Sequence, residues 1–595
     1  MRISRVQISN FANFQSLDLV TGNSLVIVGE NKVGKSNLIR ALQLILDPSL
    51  SERDRHLGLE HFWDGLGESK LGSIVEVSVQ LTDFDDDARL MAHLSDCIVA
   101  PGPPMVAALT YRFQPKRTLT GAPVSLSDYE YLIFGGDDPD NALGGSLRRM
   151  LPLDVQGALR DAEKDLASWR HSPLRPLIED LGTALDEVER AEIQTQMNAA
   201  QGGLTSRPEI QDAAARITDR LVAMVGDKHS GSVQLGLTPT RLDSLLRGLK
   251  LLIDGGARTI NEASLGSANL IFLALKSLEL DRLADERERD HTFFAVEEPE
   301  AHLHPQVQRL LYRYLLDRPT LGADATQTRL TTILSTHSPH IASVAPLQSI
   351  VLLRASSEPD TTIGVSAAET PLTAPEIADL QRYIDVTRGE LFFARGVILV
   401  EGEAERFIIP AFAEALGLSL DGLGVSVCSI GGADFAPFVK LLGPGGLNIP
   451  FVVLTDRDAV VGKPPRALNR VRKLLAILQP GYDWPATAER TVFQWGEDNG
   501  LFVNGDTLEP VLFQMGLGSA MQTILLAELP LKQATQESLE EWVDDPDTLD
   551  TAHLLRLIER IGKGRFAQAL APHVTNATCP PYIRNALEHI RDGVA

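Results

Sequence analysis

Apolar and polar residues alternate along the chain in patterns that predict an α/β protein. Residues 2–11 alternate like a strand buried on one face, and the apolar stretch 24–29 ends at a glycine. Helical periodicity follows over residues 36–46, which gives the order strand, glycine loop, helix. Further strands are predicted over residues 74–81 and 107–113, as expected for a mixed sheet.

A change in composition marks a segment inserted into the first predicted domain. Residues 151–230 are rich in Ala, Leu, Glu, Gln and Arg and poor in β-branched residues, which favours helices. Strand patterns resume in residues 232–237 and continue through residues 331–338. A second α/β unit begins near residue 395, where alternating strands and helices predict parallel pairing. Beyond about residue 516 the pattern is mostly helical.

Length and composition indicate a multidomain globular protein. The 595 residues exceed the size at which one hydrophobic core stops growing, so we expect about two or three domains. No apolar run reaches the roughly 18 residues of a membrane span, and the first residues lack a signal peptide's apolar core, so we expect a cytoplasmic protein. Cys97, Cys428 and Cys579 are widely spaced, which argues against zinc and a disulfide framework.

The net charge of −24 argues at first against a nucleic-acid partner, because Lys and Arg bind phosphates. It does not exclude one. A nuclease needs acidic metal ligands, and only the local field at the binding face matters.

A phosphate-binding motif follows the second predicted strand. Residues 29–36, GENKVGKS, match G-x-x-x-x-G-K-[ST] between a strand and a helix. Backbone N–H groups and the helix N-terminus of such a loop surround phosphates, while its lysine reaches the β- and γ-phosphates and its serine binds Mg²⁺. The expected ATP-binding residues of this loop are Gly29, Asn31, Gly34, Lys35 and Ser36.

An acidic motif at the end of a later apolar strand completes the nucleotide site. In residues 293–300, FFAVEEPE, we expect Glu297 to serve the magnesium ion and Glu298 to position or activate the attacking water. The alternative is a strand that ends in solvated carboxylates.

These motifs, with TTILSTHSP at residues 331–339, resemble the ABC-type ATPase heads of recombination and repair proteins. The resemblance implies that His337 contacts the γ-phosphate and that residues 264–275, SLGSANLIFLAL, form the signature helix. In that group the helix caps ATP held by the other protomer, which implies a homodimer in which Ser264 and Gly266 make the contact. Helix N-capping is the competing role for Ser264.

Four carboxylates follow apolar strands in the second α/β unit. Glu401 ends one strand, Glu405 lies four positions later in a helix, and Asp456 and Asp458 end another strand. Because the carboxyl ends of parallel strands meet at one edge, we expect a single cluster. Oxygen ligands suit Mg²⁺ or Mn²⁺, and two ions about 4 Å apart are the usual arrangement for phosphodiester cleavage.

The Glu-Gly pair, a Gly-Gly turn at Gly431 and Gly432, and the Asp-x-Asp motif resemble a Toprim domain. An ABC-type head followed by Toprim resembles the OLD (overcoming lysogenisation defect) family, which includes the Gabija nuclease. This resemblance implies that Lys563 stabilises charge on the scissile phosphate and that Glu509 supports metal binding. Ordinary structural or surface roles remain the alternatives for both residues.

The expected fold class is an α/β multidomain chain with an ABC-type P-loop head, a helical dimerisation insertion and a Rossmann-like Toprim domain. Its expected parts are the N-terminal lobe of the head (1–150), the helical insertion (151–230), the C-terminal lobe (231–375), the Toprim domain (395–515) and a helical region that completes the nuclease site (516–595).

A basic segment follows the Asp-x-Asp motif and suggests a DNA contact. Residues 459–482 contain five basic and no acidic residues. If this part is helical, Arg466, Arg470 and Lys473 share a face and, with Lys463, are candidates for holding a phosphate backbone. A solvated helix face is the alternative.

The sequence thus predicts an ATP-dependent, metal-dependent DNA endonuclease of phage defence or DNA repair. The alternative is a non-cutting, ATP-dependent DNA clamp or repair factor of the RecF/SMC-like class. The choice between DNA and RNA, the direction of the ATP effect and a helicase-like partner stay open.

Overall fold

The computed structural model describes most of the chain. The described residues are 1–157, 172–225, 234–235, 242–249, 251–317, 329–341, 343–356, 358–384, 388–432, 434–458 and 464–594. Two compact units are formed, one by Met1–Gln156, Asp290–Glu300 and His304–Ala595, the other by Gly157–Arg289 and Ala301–Leu303. The second unit continues past residue 230, where the helical insertion is expected to end.

The strands are β1 (Arg2–Phe11), β2 (Phe14–Val20), β3 (Leu25–Gly29), β4 (Val75–Thr82), β5 (Ile98–Ala100), β6 (Val106–Pro115), β7 (Tyr129–Gly135), β8 (Leu153–Gln156), β9 (Leu252–Ile253), β10 (Arg258–Thr259), β11 (Thr292–Glu297), β12 (Leu330–Thr336), β13 (Ile350–Ala355), β14 (Thr362–Ser366), β15 (Gly396–Val400), β16 (Val425–Ser429), β17 (Phe451–Thr455) and β18 (Leu501–Val503).

The α-helices are α1 (Lys35–Leu46), α2 (Glu52–Arg55), α3 (Ala88–Leu94), α4 (Gly145–Met150), α5 (Leu174–Ala184), α6 (Glu187–Thr205), α7 (Pro208–Val225), α8 (Leu242–Leu246), α9 (Leu265–Asp285), α10 (Pro305–Asp317), α11 (Ala374–Tyr383), α12 (Glu403–Ala415), α13 (Leu420–Leu423), α14 (Phe435–Leu442), α15 (Arg466–Leu478), α16 (Glu489–Asp498), α17 (Leu508–Leu512), α18 (Gly518–Glu528), α19 (Gln533–Asp544), α20 (Thr551–Ile561), α21 (Lys563–Leu570) and α22 (Pro581–Val594).

An antiparallel sheet forms one layer of the first unit. Its order is β2-β1-β4-β6-β5, with β7 also paired to β6. Val6 and Ile8 of β1 alternate into the core, and Phe11 at the end of the strand joins them there against the apolar face of α1. The polar residues of the same strand are left outside that core, as the period of two requires.

The second sheet of this unit carries the phosphate loop and has the order β14-β13-β3-β12-β11-β8. Strands β13, β3, β12, β11 and β8 are parallel to their neighbours, and only β14 is antiparallel. The apolar runs of β3 and β11 fit strands that are buried on both faces, and β12 is buried as well although four of its seven residues are Thr or Ser. Strand β8 adds residues 153–156 to this sheet, beyond residue 150, where the N-terminal lobe is expected to end.

The third sheet is fully parallel, with the order β16-β15-β17-β18. Buried residues of its strands form one core with α12 and with the helices after residue 507. The C-terminal helical region is therefore part of the same folded body as the sheet. Cys97, Cys428 and Cys579 are all buried.

The second unit is mainly helical, with α5 to α9 and the short β9–β10 hairpin. Its core is small and centres on Ile260, Ala268, Phe272 and Leu275. Most of the strand expected over residues 232–237 falls outside the described residues.

One helical stretch differs from the expectation that no apolar run is long enough to span a membrane. Among the described residues, Leu508–Glu528 meets that requirement by length and composition alone. However, Leu512, Met521 and Leu525 are buried in the core around the third sheet. Core helices of folded domains pass the same test, so the observation is weak evidence for a membrane span.

Candidate nucleotide and metal sites

The phosphate loop lies between a buried strand and a helix. All five residues of β3 are buried, and α1 begins at Lys35 directly after Gly34. Gly34 has a φ of 87°, and a Cβ at this position would lie 2.2 Å from the Asn13 side chain. Glycine is therefore favoured here by its backbone conformation, and a larger residue would also have to displace the Asn13 side chain.

Lys35 is held inside the loop that it is expected to use for phosphate binding. Its Nζ atom donates to the backbone oxygens of Gly29 at 2.9 Å and Glu30 at 2.8 Å, and lies 3.2 Å from His337 Nδ1. Burial lowers the pKa of Lys35 to about 8, against the opposing effect of Glu298 and the neighbouring acid Glu300.

The Glu-Glu-Pro-Glu motif at the end of β11 lies beside this loop, because β3, β12 and β11 are adjacent parallel strands. Ser36 Oγ donates to Glu297 Oε2 at 2.5 Å, and His337 Nε2 lies 3.2 Å from Glu298 Oε1. Glu298 has a φ of 44°, a left-handed conformation that is uncommon outside glycine. The structure thus brings together Lys35, Ser36, Glu297, Glu298 and His337.

Glu300 is a member of this site that the sequence analysis missed. Its carboxylate accepts hydrogen bonds from the Thr336 hydroxyl at 2.7 Å, the His337 backbone N–H at 2.9 Å and the Tyr312 hydroxyl at 2.9 Å. Glu300 thereby fixes the backbone that carries His337. The only signal in the sequence was the third glutamate of the Glu-Glu-Pro-Glu motif.

Ser264 and Gly266 belong to the second unit. Ser264 precedes α9, and its hydroxyl accepts a hydrogen bond from the Ser267 N–H at 3.2 Å, so it has the N-capping geometry that was the alternative. Gly266 packs so closely that an added Cβ would lie 2.6 Å from the His302 backbone oxygen. Their contact with a second protomer's ATP stays a prediction.

A second group of acids lies at the carboxyl edge of the third sheet. Strands β15 and β17 are parallel neighbours, with Val400 opposite Leu454, so Glu401 and Asp456 follow adjacent strand ends. The backbone N–H of Asp456 donates to Glu401 Oε1 at 3.1 Å, and the Thr455 hydroxyl donates to the same oxygen. This local network fixes Glu401 at the sheet edge.

Burial and mutual repulsion favour protonation of two acids in this group. Burial, reinforced by Glu401, Glu405 and Glu509, raises the pKa of Asp456 to about 7, although a hydrogen bond from Asn504 opposes the shift. Burial also raises the pKa of Glu405, with Glu509 and Glu401 adding to the shift. A cation placed among these carboxylates would relieve both penalties.

Glu509 and Lys563 complete this edge from the helical region. Lys563 Nζ lies 3.2 Å from Glu509 Oε1. Burial disfavours the charge of Lys563, but Glu509, Asp456 and Glu405 outweigh it and raise the pKa of Lys563. Glu509 Oε2 is buried and has no hydrogen-bond partner within the described part of the chain.

The chemistry of these side chains fits a divalent metal ion, although the site is not preassembled. In the described ranges, no three Asp, Glu, His or Cys side chains stand close enough to form a ready-made metal site. The carboxylates are nevertheless hard oxygen donors, and the buried, unpartnered Glu509 Oε2 lacks the cation or donor that such an atom needs. We therefore take Glu401, Glu405, Asp456, Asp458 and Glu509 as the candidate ligands.

The four basic candidates for DNA binding do not form one free face. Arg466 is exposed at the start of α15, whereas Lys473 pairs with Asp434. Arg470 points into the acidic edge and pairs with Glu401 and Asp458. Lys463 lies outside the described residues. The i, i+4 spacing in the sequence predicted that Arg466 and Arg470 share a helix face. It could not reveal that Arg470 pairs with Glu401 and Asp458.

Comparison with known proteins agrees with this arrangement. Residues 392–458 match a family model described as "Overcoming lysogenization defect protein-like, TOPRIM domain", and residues 166–342 match an AAA ATPase domain. The OLD nuclease of Thermus scotoductus is 25% identical over 476 residues, which cover 77% of this chain and 82% of that protein. The endonuclease GajA of Bacillus cereus is 22% identical over 494 residues, which cover 80% of this chain and 79% of that protein.

Among solved structures, the C-terminal region of the Burkholderia pseudomallei OLD protein is 57% identical and covers 34% of this chain and 100% of that one, with a TM-score of 0.32. Fold and sites together define a chain in which an ABC-type ATPase head is joined to a Toprim domain, and this prediction is confirmed. The chain belongs to the OLD family, because its sequence identity to this OLD region extends over that region's whole length.

Proposed function

We propose that this protein is an ATP-hydrolysing, metal-dependent DNA endonuclease. The observation that carries the proposal is the acidic edge of the third sheet, where burial, reinforced by the charges of Glu401, Glu405 and Glu509, raises the pKa of Asp456 to about 7. Carboxylates buried at one edge are stabilised as anions by cations, and nucleases use such acids to hold metal ions. The OLD nuclease and GajA names of its relatives support the same activity.

The candidate ligands and Lys563 account for the cleavage chemistry. Mg²⁺ or Mn²⁺ bound by these acids would supply an activated water and stabilise the leaving oxygen in a two-metal mechanism. Asn504 holds Asp456 by a hydrogen bond of 3.2 Å and so orients it. Lys563, half-exposed beside Glu509, is placed to neutralise charge on the scissile phosphate.

The phosphate loop and its acids account for the ATPase chemistry. Lys35 exchanges its contacts with two loop carbonyl oxygens for contacts with the β- and γ-phosphates, and Ser36 and Glu297 hold Mg²⁺. Glu298 positions or activates water, and His337, already 3.2 Å from Glu298, contacts the γ-phosphate.

An ion pair joins the phosphate loop to the Toprim domain and supports control of cleavage by ATP. Arg395 donates to Glu30 Oε1 at 2.8 Å and Oε2 at 3.1 Å, and this hydrogen-bonded pairing lowers the pKa of Glu30. Arg354 reinforces the junction by donating to the backbone oxygens of Arg395 and Asn448. Arg395 directly precedes β15, the strand that Glu401 directly follows.

We also propose that two copies dimerise, with the helical insertion as a contact surface. Large apolar side chains are unusually exposed on its helices, among them Val188 and Met224, each 74% exposed. The dimer would place Ser264 and Gly266 on the ATP of the other protomer. The proposed setting is the cytoplasm, in phage defence or DNA repair, and the proposed additional partner is a helicase-like protein.

Plasmid cleavage tests the proposed function. The wild-type protein with Mg²⁺ or Mn²⁺ should convert supercoiled plasmid to nicked or linear DNA, and the Asp456→Ala/Asp458→Ala variant should not. Equal cleavage by both proteins would remove the assigned site. Absence of cleavage by both, with ATP-dependent DNA binding, would instead favour the clamp.

A further inference from the structure

One arginine lies inside the acidic edge of the third sheet. The Arg470 guanidinium donates through Nη1 to Glu401 Oε1 at 2.8 Å and through Nη2 to Asp458 Oδ2 at 2.8 Å. Nη1 also donates to the Thr455 hydroxyl and to the backbone oxygen of Asp456. A single planar cation therefore joins the carboxyl ends of the two central strands.

The position of Arg470 is fixed by the helix that carries it. Leu468 and Val471 are buried, and α15 packs against the helices α14 and α16. At the start of the helix, the backbone N–H of Arg466 donates to the backbone oxygen of Asp458 at 3.2 Å. Arg470 thus reaches the acids from a rigid element that is attached to the Asp458 loop.

Asp458 is a residue that needs such support. Its φ of 51° lies in the left-handed region, which costs free energy for a residue with a side chain and persists only where the surroundings enforce it. Glu401 and Asp458 also repel each other when both are ionised. Arginine suits the task because its charge is permanent and its fork binds two carboxylates at once.

Metal ions of the proposed nuclease would bind the same two carboxylates. Glu401 Oε1 already accepts hydrogen bonds from Thr455, Asp456 and Arg470. A divalent ion that binds through Glu401 Oε1 or Asp458 Oδ2 competes with Arg470, because two cations on one carboxylate oxygen repel each other.

We propose that Arg470 is a resident counter-cation of the nuclease site. It positions Glu401 and Asp458 before metal binds, and it competes with the metal ion for these acids. The inference rests on the proposed function of this site. It makes Arg470 a positioning residue that sets metal affinity, in place of the direct role in DNA binding that its helix spacing suggested.

Metal binding measured without any cleavage reaction tests this inference. Full-length protein free of nucleotide is titrated with Mn²⁺, and free Mn²⁺ is followed by electron paramagnetic resonance. Arg470→Met keeps the apolar stem but removes the charge, so we expect Mn²⁺ to bind about tenfold more tightly. Arg470→Lys keeps the charge without the fork and should give an intermediate affinity.

Lys473→Ala is the matched control, because it removes one positive charge from the same helix at a residue paired with Asp434 instead. Its Mn²⁺ affinity should stay near that of the wild type. Unchanged or weaker binding by Arg470→Met would overturn the inference, since mere structural damage weakens a metal site. Nucleotide binding to each variant verifies that the protein is folded.

Failure of the metal site itself gives a different result. If Asp456→Asn binds as much Mn²⁺ as the wild type, the site proposed for the nuclease is absent and the proposed function fails first. If Arg470→Met does not fold, thermal unfolding of Arg470→Lys replaces it. Mn²⁺ should then raise the melting temperature more in Arg470→Lys than in the wild type, and an equal rise would contradict the inference.

Discussion

The strength of the ion pair between Glu30 and Arg395 limits how much the ATP effect on the nuclease can fall when this pair is removed. Arg395→Gln removes the charge that holds the phosphate loop to the residue preceding β15. The two side chains are 47% and 59% exposed, and a pair this exposed contributes about 0.2–1 kcal/mol. Since about 1 kcal/mol of coupling corresponds to about fivefold in affinity or population, loss of the pair should weaken the ATP effect by at most about fivefold.

The assay is plasmid nicking with and without ATP, expressed as the ratio of the two rates. We expect this ratio to move towards one in Arg395→Gln, Glu30→Arg and Arg395→Glu, and to recover in the double variant Glu30→Arg/Arg395→Glu, which restores the pair with its charges exchanged. Lys440→Gln is the control, because Lys440 pairs with Glu376 and neither residue belongs to the phosphate loop. If the single variants still hydrolyse ATP and have the same ratio of nicking rates as the wild type, the ion pair does not couple ATP to nicking.

Three further predictions concern single side chains. Because the pKa of Asp456 is raised to about 7, above its value in the unfolded chain, the folded protein binds this proton more tightly and loses stability as the pH rises from about 4 through 7. In EDTA, the melting temperature of Asp456→Asn should exceed that of the wild type by more at pH 8 than at pH 5, because this carboxyl is ionised above about pH 4 in the unfolded chain but only above about pH 7 in the folded one; an equal difference at both pH values would count against the shift. Glu298→Gln should lower ATP turnover by about 100-fold or more while ATP binding is kept, because the amide retains the shape but not the basicity; rapid turnover would exclude Glu298 as the base. Lys563→Ala should lower nicking by about 100-fold with DNA binding retained, as measured by electrophoretic mobility shift; an unchanged nicking rate would return Lys563 to an ordinary role.

The sequence was sufficient for features that depend on neighbouring strands. An apolar run followed by an acid predicts a carboxylate at a strand end, and parallel neighbours then bring Glu401 and Asp456 to one edge. The adjacency of β11, β12 and β3 likewise explains why Glu297 lies beside the phosphate loop. His337 was expected from the resemblance to ABC-type heads, and the same adjacency explains its position.

The sequence was insufficient where long side chains choose their partners. Helical spacing predicted the face of Arg470, but the direction of its guanidinium depends on carboxylates that lie on two other elements. The Glu30–Arg395 pair spans 365 positions, and no local pattern reports such a contact. Glu300 was missed for a related reason, because its role appears only once Thr336 and the His337 backbone are placed around it.

The central claim is that two acidic sites on one chain perform separate reactions, and paired assays on two variants test it most directly. ATP turnover and plasmid nicking are measured on the same preparations of wild type, Lys35→Ala and Asp456→Ala. We predict that Asp456→Ala loses nicking but keeps ATP turnover, whereas Lys35→Ala loses ATP turnover and changes only the response of nicking to ATP. Loss of ATP turnover in Asp456→Ala with its fold intact, or undiminished nicking by that variant, would contradict the assignment of separate sites.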